Sequence, residues 1–381
     1  MPLNDAIETL EDALRFHHFS PAFPERMHIS KALLREGCGS VHLRTLAAPI
    51  YITDLGIRRI TDPSAFYREH CKIATVSPIS DKEIIKNIQK TPIDRLKATL
   101  DATILFFGNY NAASVAIRLR KEELGETEDP ELLSACGTIC AAMRKPGSHQ
   151  FFEKAASVAT NFQDSYIYNH RLAATLIKRD HRIDLATEIL DKQLTTCKQV
   201  ENSEKELALL LNLKALAVLT QTGHISEAMK LINSSLKALE QAIKNPTYDS
   251  DALSRIYRYR SQIHINKAQL LLKLTKSKEA IALLKDNLFY TTKHSPEYVG
   301  EAAASLALTY YLSGDYASAI HTSEYAGAKL SRIGSISALN EMRKVIVASY
   351  TQLRDTQRAH TVLQLLRSDP LGLAFLESDS L

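Results

Sequence analysis

Tryptophan is absent from the 381 residues, and glycine (13) and proline (12) are both scarce. A sheet built from many short strands needs turn residues at close intervals, so this scarcity argues for long helices. No apolar run approaches the ~20 residues that a bilayer-spanning helix requires; the stretch from Thr103 to Phe107 is typical of the runs present. The chain opens Met-Pro-Leu-Asn-Asp-Ala-Ile-Glu, without a basic-then-apolar leader. The five cysteines (Cys38, Cys71, Cys136, Cys140 and Cys197) are scattered and odd in number. That pattern fits reduced thiols better than a disulfide framework, so a cytoplasmic location is expected. A net charge of +4 is too mild, over this length, to argue for nucleic acid.

Reaction motifs are missing too. There is no Gly-x-x-x-x-Gly-Lys, no His-Glu-x-x-His and no Gly-x-Ser-x-Gly elbow. Gly37-Cys38-Gly39 lacks a third glycine. Cys136 and Cys140 stand four apart on an expected helix, but no histidine or cysteine pair lies at a partner spacing, so buried free thiols are expected there. The expectation is a chain that is not an enzyme, with no cofactor and no metal.

What is present is a repeat. From Ala302 the chain reads AAASLALTYYLSGDYASAIHTSEYAGAKL. Leu306, Ala307 and Tyr310 share a face of one helix, Gly314-Asp315 makes a turn, and Tyr316, Ala319, Ile320 and Ala326 follow on a second. Two antiparallel helices joined by a short turn approach closely only where small side chains meet, which is the role expected of Ala307 and Ala319. Ala186, Ala228, Ala280 and Ala359 occupy the slot of Ala319 in four further segments, spaced 42, 52, 39 and 40 residues apart in chain order. An earlier segment places Gly108, Tyr110, Ala113 and Ile117 in corresponding slots, and a further helix pair turns at Pro146-Gly147. The pattern predicts six or seven hairpins from about residue 92 to about 368, one first helix being long, from Asp251 to about Leu274. Ser80 with Glu83 and Ser203 with Glu206 have capping-box spacing, and Thr91-Pro92, Asp129-Pro130 and Ser295-Pro296 place a cap before a proline.

The Leu, small, Tyr, then Gly-x-Tyr, then Ala order resembles tetratricopeptide repeats. The units exceed the usual ~34 residues, which resembles the longer repeats of bacterial regulators and peptide receptors. Leu216 and Val347 depart from the pattern at its small slot. The resemblance implies an all-α right-handed solenoid: residues 1–90 as an N-terminal helical segment, 91–370 as the repeat domain and 371–381 as a tail. It implies that the first helices line a concave face that captures a protein or peptide segment. Carried onto this sequence, the inward slots hold Arg171, Thr175, Lys178 and Lys214, then Asn266 and Gln269, then Ser305, Tyr311 and Lys344. The amides suit an extended backbone and the cations an acidic segment or a terminal carboxylate. No membrane partner is expected; self-association stays open.

Residues 1–90 do not repeat, and are expected to be either irregular helices capping the solenoid or a small effector domain. Pro2 to His17 and Met27 to Leu34 have helical periodicity, and Ala48-Pro49-Ile50-Tyr51-Ile52 reads as a strand or a helix entrance. KALLREGCGSVHLRTLA loosely resembles a helix-turn-helix, so DNA contact through residues 25–60 is the alternative reading, with the repeats as sensor. Arg255, Arg258 and Arg260 alternate with Tyr257 and Tyr259, but the two tyrosines point about 200° apart on a helix and cannot form one stacking platform.

Overall fold

Low glycine and proline content and 3.6-residue apolar spacing should yield helices, and they do. The structure is a computed structural model that describes residues 50–53, 56–59, 81–107, 110–143, 145–332 and 336–368. The first expected helices and the helix-turn-helix-like segment lie outside the described residues. Of the ambiguous stretch near Ile50, the strand reading holds: β1 (Ile50–Thr53) and β2 (Gly56–Arg59) form an antiparallel hairpin, with Ile50 opposite Arg59 and Ile52 opposite Ile57.

All other described elements are helical. They are α1 (Asp81–Lys90), α2 (Ile93–Phe107), α3 (Tyr110–Leu119), α4 (Lys121–Glu126), α5 (Pro130–Ala142), α6 (Ser148–Val158), α7 (Phe162–Thr175) and α8 (Ile183–Cys197). There follow α9 (Glu204–Thr222), α10 (Ile225–Lys244), α11 (Ser250–Lys273), α12 (Ser277–His294), α13 (Val299–Leu312), α14 (Tyr316–Arg332), α15 (Ile336–Gln352) and α16 (Thr356–Ser368). The long first helix is α11. Chain-neighbour helices pack on one another, as α5 does on α6, α9 on α10, α13 on α14 and α14 on α15, and first helices of successive hairpins also meet, as α7 does α9 and α13 does α15. This is a helical-hairpin array, in which neighbouring hairpins bury faces that no hairpin could bury alone. Two compact units are distinguished, one of Asp81–Asp101 with Tyr110–Ile263, the other including His264–Leu381.

The hairpin turns share one geometry. Ala186, Ala228, Ala280, Ala319 and Ala359 are all fully buried. Five residues before each stands a residue with left-handed backbone: His181 (φ 55), Gly223 (φ 69), Thr275 (φ 60), Gly314 (φ 80) and Arg354 (φ 61). At three of them the next amide reaches back over the turn, Lys276 to Leu271, Asp315 to Tyr310 and Asp355 to Tyr350, at 2.9, 3.0 and 2.9 Å. This closes the first helix by satisfying carbonyls that would otherwise lack donors. Asp315 and Asp355 then cap the second helices, accepting from Ser318 and Arg358 at 3.1 and 3.0 Å. Gly300 marks a close approach: a Cβ there would meet Leu330 Cδ2 at 2.9 Å.

Three of the expected caps form differently. Asp129 does accept from Glu131 and Leu132 at 3.0 and 3.1 Å. Thr91 instead donates to the Asn87 carbonyl at 2.8 Å, and Ser295 makes no side-chain cap bond. Ser203 turns back to the carbonyls of Cys197 and Val200 at 2.6 and 2.8 Å, so its capping box does not form and Glu206 is released from that role. The competing carbonyls at the end of α8 are orphan acceptors, and the hydroxyl serves them instead.

Arg120 ties the start of the described array together. Its guanidinium donates to the carbonyls of Ile88 and Thr91 at 2.8 and 2.6 Å and makes a two-pronged pair with Glu123, both arms 2.7 Å. Arg120 is 8% exposed. It supplies donors for carbonyls at the C-terminal end of α1, where none are available within the helix.

Candidate functional site

The residues on first helices fall into distinct environments. On α7, burial alternates with the helical period. Tyr166, Leu172, Ala173 and Thr175 are buried, whereas Ile167, His170, Arg171 and Ala174 retain solvent contact on one side. Arg171 donates to Ser134 Oγ at 2.7 Å and Thr138 Oγ1 at 3.4 Å, both on α5. His170, one residue earlier and about 100° round the helix, faces the other way and bonds the backbone of Leu209 on α9. The open face of α7 therefore lies between two neighbouring first helices.

Beyond Thr175 the helix widens into a π turn, Leu176–Asp180. One extra residue in the turn breaks the α-helical register, and such insertions occur often at functional sites. Asp180 is held from α6 by His149, Nδ1 to Oδ2 2.6 Å, and Arg182 donates to the Leu176 carbonyl at 3.0 Å. Lys178 projects from this turn and is exposed. The protein around it, together with the charge of Arg179, nevertheless lowers its ammonium pKa to about 8. Water reaching the side chain relieves part of that penalty. The charges of Arg171 and Lys178 also act on His170, which burial above all pushes down to about 4. Arg171, Lys178 and Arg179 thus form a cationic group at the C-terminal end of α7, where the helix carbonyls also favour positive charge.

The remaining expected site residues are placed as follows. Thr175 is buried. Lys214 on α9 pairs with Asp191 on the second helix α8, and Gln221, two turns on, bonds Asp184 of the same helix at 2.8 Å. In the unit that includes His264–Leu381, Asn266 and Gln269 are buried on α11. Both polar atoms of the Gln269 amide lack a partner, the one side chain among the described residues of which this holds for two atoms. Ser305 donates to the Glu301 carbonyl at 3.1 Å, and the Tyr311 ring meets that of Tyr316 at a tilt, 5.7 Å between centres. Lys344 is 4% exposed and bonds Glu341 at 2.7 Å; burial lowers its pKa while Glu341 opposes the shift. Arg171 and Lys178 each act electrostatically on His170, and Arg179 acts on Lys178.

Among the described residues no cluster of three histidine, cysteine or acidic side chains could hold a metal ion. Cys136, Cys140 and Cys197 are buried thiols outside any disulfide. Burial pushes the Cys140 thiol up to about 11, which keeps it protonated and unreactive. Tyr257 and Tyr259 are both half-buried. No described helix is long and apolar enough to cross a membrane.

No protein-family model and no curated protein matches the sequence. Among solved structures, the fold is similar to the crystal structure of a signal transduction ATPase with numerous domains, carrying a tetratricopeptide-repeat sensor, from Pyrococcus horikoshii. The identity is 15%, the TM-score is 0.44, and the match covers 77% of this chain and 48% of that one. The chain thus spans about half the length of that protein.

Sequence reading missed three groups. Tyr166, with the His170 ring 5.9 Å away and the charge of Glu206 acting on it, is shielded at the meeting of α7 and α9, Arg179 joins the cationic group, and Arg120 is a structural tie. Glu206 was the hardest to see, because its spacing from Ser203 offered a simpler role.

Proposed function

We propose that the chain is a non-catalytic binding protein that captures an acidic peptide or protein segment on the first-helix face of its hairpin array, in a regulatory or assembly role. The supporting observation is the cationic group at the end of α7. Arg171 is pre-positioned by Ser134 and Thr138. Lys178 reaches solvent while its proton affinity is depressed by the surrounding protein and by Arg179. A carboxylate brought to this group restores Lys178 to full protonation and takes directed hydrogen bonds from a guanidinium that is already ordered.

The test is charge reversal. The double variant Arg171→Glu, Lys178→Glu should keep its helical circular dichroism and cooperative melting, yet lose partner capture by at least about tenfold. Capture would be measured by affinity isolation from native extract, with mass spectrometry of retained proteins and peptides. Undiminished capture by the folded double variant would sink this placement of the binding face. Nucleic acid retained in a salt-sensitive way, with no protein enriched, would favour DNA contact instead.

A further inference from the structure

The turns of a hairpin array alternate between two edges. In the unit of Asp81–Asp101 with Tyr110–Ile263, the helices from α5 to α10 pack each on the next. Short links make such neighbours antiparallel. The turns after α5, α7 and α9 therefore share one edge, and the links before α5, α7, α9 and α11 share the other. Hydrogen bonds tie turn to turn along each edge. On the first, His149 just past the α5–α6 turn bonds Asp180 at the end of the π turn at 2.6 Å. On the same edge, Gln221 at the end of α9 bonds Asp184 at the start of α8 at 2.8 Å. On the second, Lys154 of α6 donates to the Gly125 carbonyl on α4, and Asn245 after α10 donates to Asn202 before α9 at 2.9 Å.

The two edges differ in sign. On the first, the carboxylates nearest the π turn are occupied within the chain, Asp180 by His149 and Asp184 by Gln221. Lys178 and Arg182 are exposed, and neither side chain makes an ion pair among the described residues. On the second, residues 121–131 read KEELGETEDPE, six carboxylates against one lysine. Arg120 takes Glu123, Lys97 takes Glu131 at 3.6 Å, and Asp129 caps α5. Glu122, Glu126 and Glu128 stay exposed, with no ion pair among the described residues. Within one copy these charges cannot meet. The 14 residues of α7, which run from the acidic edge to the cationic one, rise about 21 Å.

We infer that a second copy of this chain docks residues 121–131, through Glu122, Glu126 and Glu128, on the cationic edge at Lys178 and Arg182. Charge complementarity selects this occupant, since each copy carries both halves of the contact and holds them apart. The contact is heterologous: each copy offers its acidic edge to one neighbour and its cationic edge to another, so copies add head to tail. Exposed charges in water attract weakly and are screened by salt, so the association is reversible and concentration-dependent. This inference rests on the reading of Lys178 as part of a group that captures acidic segments, and names the chain's own segment as one of them.

Sedimentation velocity of the full chain over a series of micromolar concentrations tests it. In low salt the weight-average mass should rise with concentration past that of a dimer. It should return to that of a monomer as added salt shortens the screening length from ~30 to ~3 Å. Two neutralised variants separate the edges, Lys178→Gln with Arg182→Gln, and Glu122→Gln with Glu126→Gln and Glu128→Gln. All these side chains are exposed, so both variants should melt as the original does. Each alone should self-associate at least about tenfold more weakly. Mixed in equal amounts, they should form one-to-one pairs and stop there. The acidic edge of the first variant still fits the cationic edge of the second, and each has lost its other edge. A chain that stays monomeric in low salt, an original chain that stops at a dimer, association unmoved by either variant, or a mixture that stays monomeric would each overturn the assignment. The acidic-segment reading fails separately. It is measured by capture of other proteins from native extract, and such capture, lost in Arg171→Glu, Lys178→Glu, would leave it standing where self-association is absent.

Discussion

Replacing Ala319 with glutamate should lower the stability of the protein by about 3–5 kcal/mol. Ala319 is fully buried on α14, a helix that packs against both α13 and α15. Its amide bonds the Asp315 carbonyl at 3.0 Å, so the residue sits one turn inside the helix and cannot swing the new carboxylate to solvent by fraying. Glutamate would add volume where helix axes approach closely and bring a charge without a partner. The adjacent Ala317 is exposed on the same turn, and Ala317→Glu should change stability by less than about 0.5 kcal/mol. Thermal melting of the pair, followed by circular dichroism, checks the hairpin register directly. Equal melting points would mean that the close-approach slot is misplaced, and with it the same slot in the four other hairpins.

The second large effect is expected at Arg120. Arg120→Ala should cost about 2–4 kcal/mol, since it removes the buried guanidinium donors of the Ile88 and Thr91 carbonyls. Part of that loss is pH-dependent. The hydrogen bond and charge of Arg120 hold Glu123 below its ordinary carboxylate pKa. A folded-state pKa lowered in this way contributes stability above the unfolded pKa, and the contribution disappears as the pH falls through the folded one. Urea titrations of the original protein and of Glu123→Gln should therefore differ at neutral pH and converge as the carboxylate titrates in acid. Glu123 is about half exposed, so solvent keeps this pH-linked portion small beside the loss of the arginine itself. A parallel offset persisting into strong acid would remove the ion pair from the account.

The hairpin array was legible because packing demands the same small residue at the same place. Five alanines at irregular intervals still mark five equivalent turns, since insertions lengthen helices without moving the slot relative to its own turn. The turn conformation was half legible. Gly223 and Gly314 announce it, but His181, Thr275 and Arg354 adopt the same backbone and carry no such signal in their residue type. The π turn at Leu176–Asp180 was hidden for a related reason, as one extra residue leaves no compositional trace. The cationic group could be foreseen from Arg171 and Lys178, each assigned by slot. The burial of Glu206 could not, because Ser203 and Glu206 satisfy a local pattern that the bonds of Ser203 to Cys197 and Val200 then override. Arg120 escaped notice because its partners lie 29 and 32 residues back along the chain and are carbonyls, which sequence does not distinguish.

The shared turn also bears on the stability of the array. A left-handed backbone costs a residue with a side chain roughly 1–2 kcal/mol relative to glycine, and His181, Thr275 and Arg354 each sit in a different hairpin. Each of these three turns therefore carries a local cost that glycine would remove. Glycine placed at the three positions together should raise stability nearly additively, since the sites are far apart in sequence and share no described partner, and calorimetric melting of the triple variant would measure that cost.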